Sequence, residues 1–230
     1  MKTIGLLGGM SWESTEHYYR LINEATRETL GGLHSAPVAM FSVDFQEIEQ
    51  LQHADEWDLM AAILSRRAAQ IEAGGAELLL ICTNTMHRVA DVIEAAINIP
   101  LLHIADATAA AVKAAGIDRV GLLGTKFTME QDFYRGRLEE HGLDVLVPDD
   151  EDRDIVHRVI YEELCLGQIE DDSRKEYLRI IDDLADRGAQ GVIEGCTEIG
   201  LLVNQQHTEI PLFDTTAIHA RASVAEALKD

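Results

Sequence analysis

The chain has 230 residues, 47% of them hydrophobic and 26% charged, a composition typical of a folded globular protein of one or two domains. Its 41 acidic and 19 basic residues give a formal net charge of −22, which disfavours a nucleic-acid partner. Three cysteines without a CxxC motif argue against a disulfide scaffold or a zinc site. Because no segment resembles a signal peptide or a membrane span, we expect a cytoplasmic protein without a membrane partner.

The first half of the chain alternates between strand and helix patterns. Near-continuous apolar segments predict strands at 3–7, 38–43, 78–82 and 101–103. Between the second and third, apolar residues recur on one helical face, and Gly74 then predicts the helix end. The members of this face are Met60, Ile63, Leu64 and Ile71. The alternation predicts a parallel α/β sheet.

The second half repeats this organisation. Apolar segments predict strands at 120–123, 145–147, 192–194 and 212–213. A second amphipathic helix contains Tyr177, Ile180, Ile181 and Leu184 and ends before Gly188. Three fragments of the first half return in the second at offsets of 116, 113 and 111 residues: 4–9 as 120–125, 75–85 as 188–198, and 99–108 as 210–219. The repeat predicts two similar domains, each with a four-stranded parallel sheet flanked by helices.

Small and polar residues follow four of the predicted strands. These clusters are Gly8-Gly9-Met10, Cys82–Thr85, Gly124-Thr125 and Cys196–Glu198. Ligands of parallel α/β sheets bind beyond the carboxyl ends of the strands, so we expect the clusters to lie at a cleft between the two domains.

The repeat also shows which residue corresponds to Cys196. At the offset of 113 residues, Thr83 falls on Cys196, whereas Cys82 falls on Gly195. Adjacent strand residues point to opposite faces, so we expect Cys82 to point away from Thr83 and to pack in the core.

A helix is predicted to begin shortly after both positions. Its backbone N–H groups could bind a substrate carboxylate, and its dipole would favour a thiolate at Cys196. Two groups on two similar halves suit removal of a proton from one face of a carbon and return of a proton to the other. Inversion of an amino acid at its α-carbon, without a cofactor or a metal, is such a reaction.

Five fragments make the chain resemble the aspartate/glutamate racemase family over essentially its whole length. They are IGLLGGMSWEST at 4–15, CTNTMH at 82–87, HIADAT at 103–108, GLLGTKFTM at 121–129 and GCTEI at 195–199. The resemblance implies two α/β domains, 1–100 plus about 210–230 and about 101–209, with the active site between them. It also implies cofactor-independent racemisation of a small-molecule amino acid, aspartate, glutamate or a broader range, with a homodimer left open.

The chain departs from the family pattern at two places. Thr83 stands where family members usually have the first of two catalytic cysteines, so the expected acid/base pair is Thr83 and Cys196. The segment 42–52 lacks the arginine that many aspartate-acting members use to bind the substrate side chain. Gln52 and Arg158 are candidate contacts instead, with a solvated helix position and a surface salt bridge as their respective alternatives.

The remaining expected substrate contacts come from the strand-end clusters and the family fragments. They are Met10, Asn84, Thr85, Thr125, Thr128, Thr197 and Glu198. Gly8-Gly9 does not form a nucleotide-binding GxGxxG motif, and its glycines are expected to let the backbone approach a substrate carboxylate.

Three charged or polar residues allow two interpretations each. His87 could pair with Cys82 as a nucleophilic dyad or be an ordinary helix-start histidine. Glu198 could act at the site, by orienting the Cys196 thiol or the substrate amino group, or be an ordinary acid at a helix start. Glu194 lies in an apolar segment and is either satisfied locally or raises the thiol pKa.

The sequence leaves two other functions open. One is a lyase or cis–trans isomerase that acts on a dicarboxylate through a single cysteine, similar to maleate isomerase or arylmalonate decarboxylase. The other is a binding protein for an acidic metabolite without catalytic activity.

Overall fold

A computed structural model describes residues 1–229 of the chain. It shows an α/β protein with two parallel sheets flanked by helices. The chain divides into two compact units, Met1–Ile104 together with the C-terminal segment from His219, and Ala105–Ile218. The predicted domain limits near residues 100 and 210 stay a prediction. Across the described residues, no helix combines the length and the apolarity needed to cross a bilayer.

Strands and helices alternate along the chain. The strands are β1 (Ile4–Gly8), β2 (Val38–Ser42), β3 (Leu78–Ile81), β4 (Arg119–Gly124), β5 (Asp144–Leu146), β6 (Val192–Gly195) and β7 (Leu212–Asp214). The helices are α1 (Trp12–Leu30), α2 (Phe45–His53), α3 (Trp57–Ala73), α4 (Ala90–Glu94), α5 (Ile104–Ala114), α6 (Lys126–Glu130), α7 (Asp132–Glu140), α8 (Asp150–Glu162), α9 (Asp171–Asp186), α10 (Ile199–Leu202) and α11 (Thr215–Ala227). Two 3₁₀-helices lie at Thr85–Val89 and Leu164–Leu166.

The sheet of the first unit has the strand order β2-β1-β3, all parallel. The four-stranded sheet predicted for this unit is wrong by one strand, since the segment 101–103 makes a single parallel bridge, from Leu101 to Leu79. The physical reason is a lack of chain length for pairing. Pro100 has no N–H to donate to a ladder, and α5 already begins at Ile104.

The core of the first unit lies between its sheet and the helices α1 and α11. The alternating strand residues Ile4 and Leu6 share a face with Leu78, Leu80 and Cys82, as the period of two requires. Tyr18 and Ile22 of α1 and Ala220 and Val224 of α11 pack on this face. On α3, the predicted apolar positions Met60, Leu64 and Ile71 are buried.

The sheet of the second unit has the order β5-β4-β6-β7, all parallel, and so has the four strands that were predicted. Its first three strands repeat the order of the first sheet. Gly124 ends the central strand and pairs with Gly195, the last residue of β6. The residues that follow β4 and β6 therefore leave the sheet next to each other.

Candidate active site

The first half-site is the turn that follows β3. Cys82 continues the strand, since its N–H donates to the carbonyl of Leu7 at 2.9 Å, and its side chain lies in the core cluster as expected. Burial raises the pKa of the Cys82 thiol far above its ordinary value, so the group stays protonated. Thr83, the next residue, is half-buried. A Cys82–His87 dyad is wrong, because both ring nitrogens of His87 bond to other groups. Nδ1 bonds to the carbonyl of Thr83 and Nε2 to the backbone N–H of Ile104.

The peptide groups on both sides of Thr83 are fixed by side chains. The Ser14 hydroxyl donates to the carbonyl of Cys82 at 3.0 Å. The ring nitrogen Nδ1 of His87 donates to the carbonyl of Thr83 at 2.8 Å. Asn84 and Thr85 are buried, and the helix predicted to begin here starts at Thr85 as a 3₁₀-helix.

The turn after β1 lies beside that after β3, because β1 and β3 are neighbours in the sheet. Gly9 has a φ of +88°, and a Cβ atom on it would lie 2.3 Å from the Val43 carbonyl oxygen. A Cβ atom on Gly8 would lie 2.4 Å from the Thr15 side chain. The chain's own close packing therefore explains both glycines without a substrate carboxylate. Met10 is buried.

Gln52 is buried in α2, with 3% of its surface exposed. The alternative of a solvated helix position is therefore wrong: the helix turns this residue inward together with Ile48, one turn earlier. Whether Gln52 also contacts a substrate stays a prediction.

The second half-site follows β6. Cys196 is half-buried, and its sulfur donates to the Glu198 oxygen Oε2 at 3.1 Å. The Thr197 hydroxyl donates to the same oxygen at 2.6 Å. Thr197 and Glu198 are themselves buried. Because both neighbours donate to it, this oxygen acts as an acceptor, as an ionised carboxylate does.

The predicted thiolate at Cys196 is wrong for this state of the protein. Burial raises the pKa of the thiol well above its usual value, and the charge of Glu198 raises it further, with a smaller contribution from Cys165. The helix after Cys196 is only Ile199–Leu202, a single turn whose dipole is too short to offset these effects. The resting group is a thiol that donates to a carboxylate.

Thr125 and Thr128 follow β4, whose last residue, Gly124, pairs with Gly195, the residue before Cys196. Thr125 caps α6, since its hydroxyl accepts from the Thr128 N–H at 3.3 Å. Thr128 is completely buried, and its side chain packs against Gly124 and Gly195. Both threonines thus shape the strand ends, and their contact with a substrate stays a prediction.

Arg158 lies on α8 with about half of its side chain exposed, and its Nη1 is 3.4 Å from Oε1 of Glu163. The salt bridge expected as an alternative is therefore present. The pKa of the buried Tyr177 is raised by burial and then by Cys196 and Glu163, while Arg158 lowers it. Arg158 and Cys196 thus act on one shared neighbour, and a substrate contact of Arg158 stays a prediction.

Glu194 of β6 has 4% of its surface exposed and pairs in register with Asp214 of β7. Its Oε1 has no hydrogen-bond partner among the described residues, so this oxygen of the carboxyl group is not satisfied locally. Burial, and then the charge of Asp214, raises its pKa to about 8. The main influences on the pKa of Cys196 are burial, Glu198 and Cys165, and the predicted effect of Glu194 on the thiol stays a prediction.

Sequence reasoning missed several side chains that support the half-sites. Ser14 holds the Cys82 carbonyl, and Tyr18 and His219 form a buried hydrogen bond of 2.9 Å behind the turn. The repeat fragments contain His103 and His219, which was an available signal. No pattern along the chain links Cys165 to Cys196, since the proximity depends on tertiary packing.

Comparison with known proteins shows close relatives. Residues 7–223 match the family model Asp/Glu/hydantoin racemase. A solved structure of a candidate Asp/Glu racemase from Yersinia pestis is 59% identical over the whole of both chains, with a TM-score of 0.93. An aspartate racemase homologue from Pyrococcus horikoshii OT3 is 36% identical, again over the whole of both chains, with a TM-score of 0.88. The broad specificity amino-acid racemase RacX of Bacillus subtilis is 22% identical over 98% of both chains.

Proposed function

Because this chain belongs to the Asp/Glu/hydantoin racemase family, we propose that it racemises an amino acid without a cofactor, by two-base proton transfer at the α-carbon. Thr83 and Cys196 are the proposed acid/base pair. Aspartate and glutamate are the first substrates to test, and the other common amino acids are to be tested after them.

One observation carries the choice of Thr83. Cys82 and Gly195 occupy the same position beside their central strands, because Cys82 bonds to Leu7 of β1 and Gly195 pairs with Gly124 of β4. The residue that follows is Thr83 in the first unit and Cys196 in the second. Cys82 itself lies in the core, which supports Thr83 as the counterpart of Cys196.

The geometry of the second half-site supports a route for the thiol proton. Transfer of the proton from Cys196 Sγ to the Glu198 carboxylate, over the hydrogen bond of 3.1 Å, yields a thiolate and a neutral acid. The thiolate takes the α-proton from one face of the substrate. The Thr83 hydroxyl donates a proton to the opposite face and recovers one from solvent, which inverts the carbon. Glu198 then releases its proton to solvent, which restores the resting thiol and carboxylate.

The substrate carboxylate is proposed to bind backbone N–H groups at the two strand ends, with Asn84, Thr85 and Thr197 nearby. Arg158 is the proposed partner for an acidic substrate side chain, which would draw it away from Glu163. Met10, Gln52, Thr125 and Thr128 are proposed to complete or support the binding site.

A chiral screen tests the proposal. The purified protein is incubated with each common L-amino acid in deuterated buffer without added cofactor. Chiral chromatography measures racemisation and NMR measures deuterium at the α-carbon. Formation of the D-enantiomer, lost in Cys196→Ser, is expected for at least one amino acid. Absence of both signals for all amino acids would contradict it, and turnover of maleate-type dicarboxylates in an ultraviolet assay would favour the single-cysteine alternative.

A further inference from the structure

We propose that His87 is a positioning residue, which as a neutral Nδ1–H imidazole holds the turn that carries Thr83 in its working orientation. The inference rests on the proposed function insofar as Thr83 is one of the two acid/base groups. His87 itself is not proposed to contact the substrate or the Thr83 hydroxyl. It acts through its hydrogen bond to the backbone carbonyl of Thr83.

The hydrogen bonds of His87 define its tautomer. Nδ1 lies 2.8 Å from the carbonyl oxygen of Thr83, which can only accept. Nε2 lies 3.2 Å from the backbone N–H of Ile104, which can only donate. Nδ1 therefore carries the proton and Nε2 is the acceptor. A protonated ring would lose the bond to Ile104, because Nε2 would then also be a donor.

The surroundings keep His87 neutral. It has 3% of its surface exposed, and the rings of His103 and His219 have their centroids 4.4 and 6.0 Å from its own. Burial lowers its pKa well below the usual value, and the two neighbouring histidines lower it further.

His219 is fixed in the same way behind the turn. Its Nε2 donates to the carbonyl of Leu102 at 2.8 Å, so its Nδ1 accepts from the Tyr18 hydroxyl at 2.9 Å. Burial lowers its pKa to about 4. Each of these two rings thus bridges fixed groups as a defined neutral tautomer, and together they form a rigid support.

Hydrogen bonds from Ser14 and His87 determine where the Thr83 side chain points. A residue has two soft backbone angles, and each is set by one flanking peptide plane. The plane before Thr83 is held by the Ser14 hydroxyl on the Cys82 carbonyl, and the plane after it by His87 on the Thr83 carbonyl. With both planes held, the Cα–Cβ direction of Thr83 is fixed.

The second half-site does not need such a side chain. The carbonyl of Cys196 accepts from the backbone N–H of Ile199 at 3.1 Å, within the turn itself. The repeat position of His87 is Gly200, which has no side chain to offer. Support of the turn by an imidazole is therefore found only in the half-site that contains Thr83.

Two substitutions at His87 separate positioning from bulk packing. In His87→Asn, the amide nitrogen replaces Nδ1 and still donates to the Thr83 carbonyl, while the acceptor for Ile104 is lost. In His87→Gln, the longer amide reaches toward the Nε2 position and the donor to Thr83 is lost. Both remove the same ring, so each serves as the packing control for the other.

We expect His87→Gln to lower racemisation about tenfold or more and His87→Asn to keep it within about threefold of the wild type. In a Thr83→Ala background, which keeps the carbonyl but not the hydroxyl, His87→Gln should change the remaining α-proton exchange less than twofold. Equal losses in the two single variants, or an undiminished effect in the Thr83→Ala background, would overturn the inference.

A readout independent of activity separates this inference from the proposed function. Nitrogen-15 NMR of the wild-type imidazoles should show the Nδ1–H tautomer at His87. The amide signal of Asn84, whose peptide group contains the Thr83 carbonyl, should shift in His87→Gln and stay close to its wild-type position in His87→Asn. If the wild type fails to racemise any amino acid, the proposed function fails and these signals still decide whether His87 holds the turn. An Nε2–H tautomer at His87 would overturn the inference.

Discussion

The thiol of Cys196 donates a hydrogen bond of 3.1 Å to the carboxylate of Glu198. Burial and the Glu198 charge together raise the pKa of that thiol, so the group that stabilises the protonated form is also within reach to take its proton. The resting group is therefore a thiol, whereas the dipole of a helix start was expected to favour a thiolate. This hydrogen bond makes Glu198 a part of the proposed chemistry and not only a contact for the substrate.

Glu198→Gln should therefore change two properties in opposite directions. Removing the carboxylate charge lowers the pKa of Cys196, so alkylation of Cys196 by iodoacetamide near pH 8 should become faster. Removing the proton acceptor should lower kcat for racemisation by about 10²- to 10⁴-fold. Peptide-level mass spectrometry follows alkylation at Cys196 separately from Cys82 and Cys165.

Glu130→Gln is the matched control for Glu198→Gln, because Glu130 lies outside both half-sites in an exposed ion pair with Arg153. It should leave alkylation and kcat unchanged. Unchanged racemisation in Glu198→Gln would show that Glu198 does not handle the thiol proton. Slower alkylation of Cys196 in this variant would show that the Glu198 charge does not raise the thiol pKa.

The two cysteines at the strand ends should respond differently to substitution. Cys82→Ala should keep racemisation within a few-fold and lower the free energy of unfolding by about 1 kcal/mol, because it removes a buried sulfur from the core cluster. Cys196→Ser should lose α-proton exchange at normal stability. Urea denaturation and deuterium exchange measure the two effects. Loss of activity in folded Cys82→Ala as deep as in Cys196→Ser would show that the wrong cysteine was assigned to the core.

Glu194 should make the protein less stable as the pH rises. Its pKa of about 8 in the folded state lies above the usual 4.5, so the folded protein binds the extra proton between these values. Its contribution to stability is fully present below pH 4.5 and is lost as the pH rises through about 8. The free energy of unfolding should fall by at most about 1.4 kcal/mol for each pH unit in this window from this group.

Glu194→Gln keeps the shape of the side chain and removes the titration. Urea denaturation at intervals from pH 5 to pH 9 should give a flatter profile for this variant, which becomes more stable than the wild type at the alkaline end. Glu139→Gln, at an exposed position of an ion pair on α7, is the control and should keep the wild-type slope. Identical slopes in Glu194→Gln and wild type would contradict the assignment.

The parallel α/β organisation of both units was accessible from the sequence because it depends on local periodicity and on one repeat. The pairing of Thr83 with Cys196 rests on the same repeat and stays a prediction. The three-stranded first sheet was not accessible, since it depends on where α5 begins after Leu101. The inward direction of Gln52 also escaped, because a polar residue in an amphipathic pattern predicts exposure. The proton on Cys196 depends on the contact with Glu198, which only the folded chain defines.

Thr83 and Cys196 are proposed to be unequal acid/base partners. A threonine hydroxyl is far less acidic than a thiol, so its alkoxide is scarcely populated and it is a poor resident base. One enantiomer presents its α-proton to Cys196, and the other faces Thr83. Enantiomers have equal free energies in water, so kcat/KM must be equal in the two directions, and the inequality must be expressed in kcat, in KM or in exchange.

Thr83→Cys should bring the kcat values of the two enantiomers closer together, because both acid/base groups are then thiols of similar pKa. Thr83→Ser retains a hydroxyl at the same position and is the control, so it should keep the wild-type difference. Initial rates with each enantiomer, measured by chiral chromatography, supply the comparison. An unchanged ratio of kcat values in folded Thr83→Cys would count against the assignment.

The most direct measurement is α-proton exchange against racemisation for each enantiomer of one substrate in deuterated buffer, with wild-type protein. One enantiomer alone is expected to gain deuterium faster than it is converted to the other, because its α-proton leaves to the Cys196 side while proton transfer through Thr83 is slow. Equal ratios of exchange to racemisation for the two enantiomers would contradict the assignment of Thr83 and Cys196 as unequal partners.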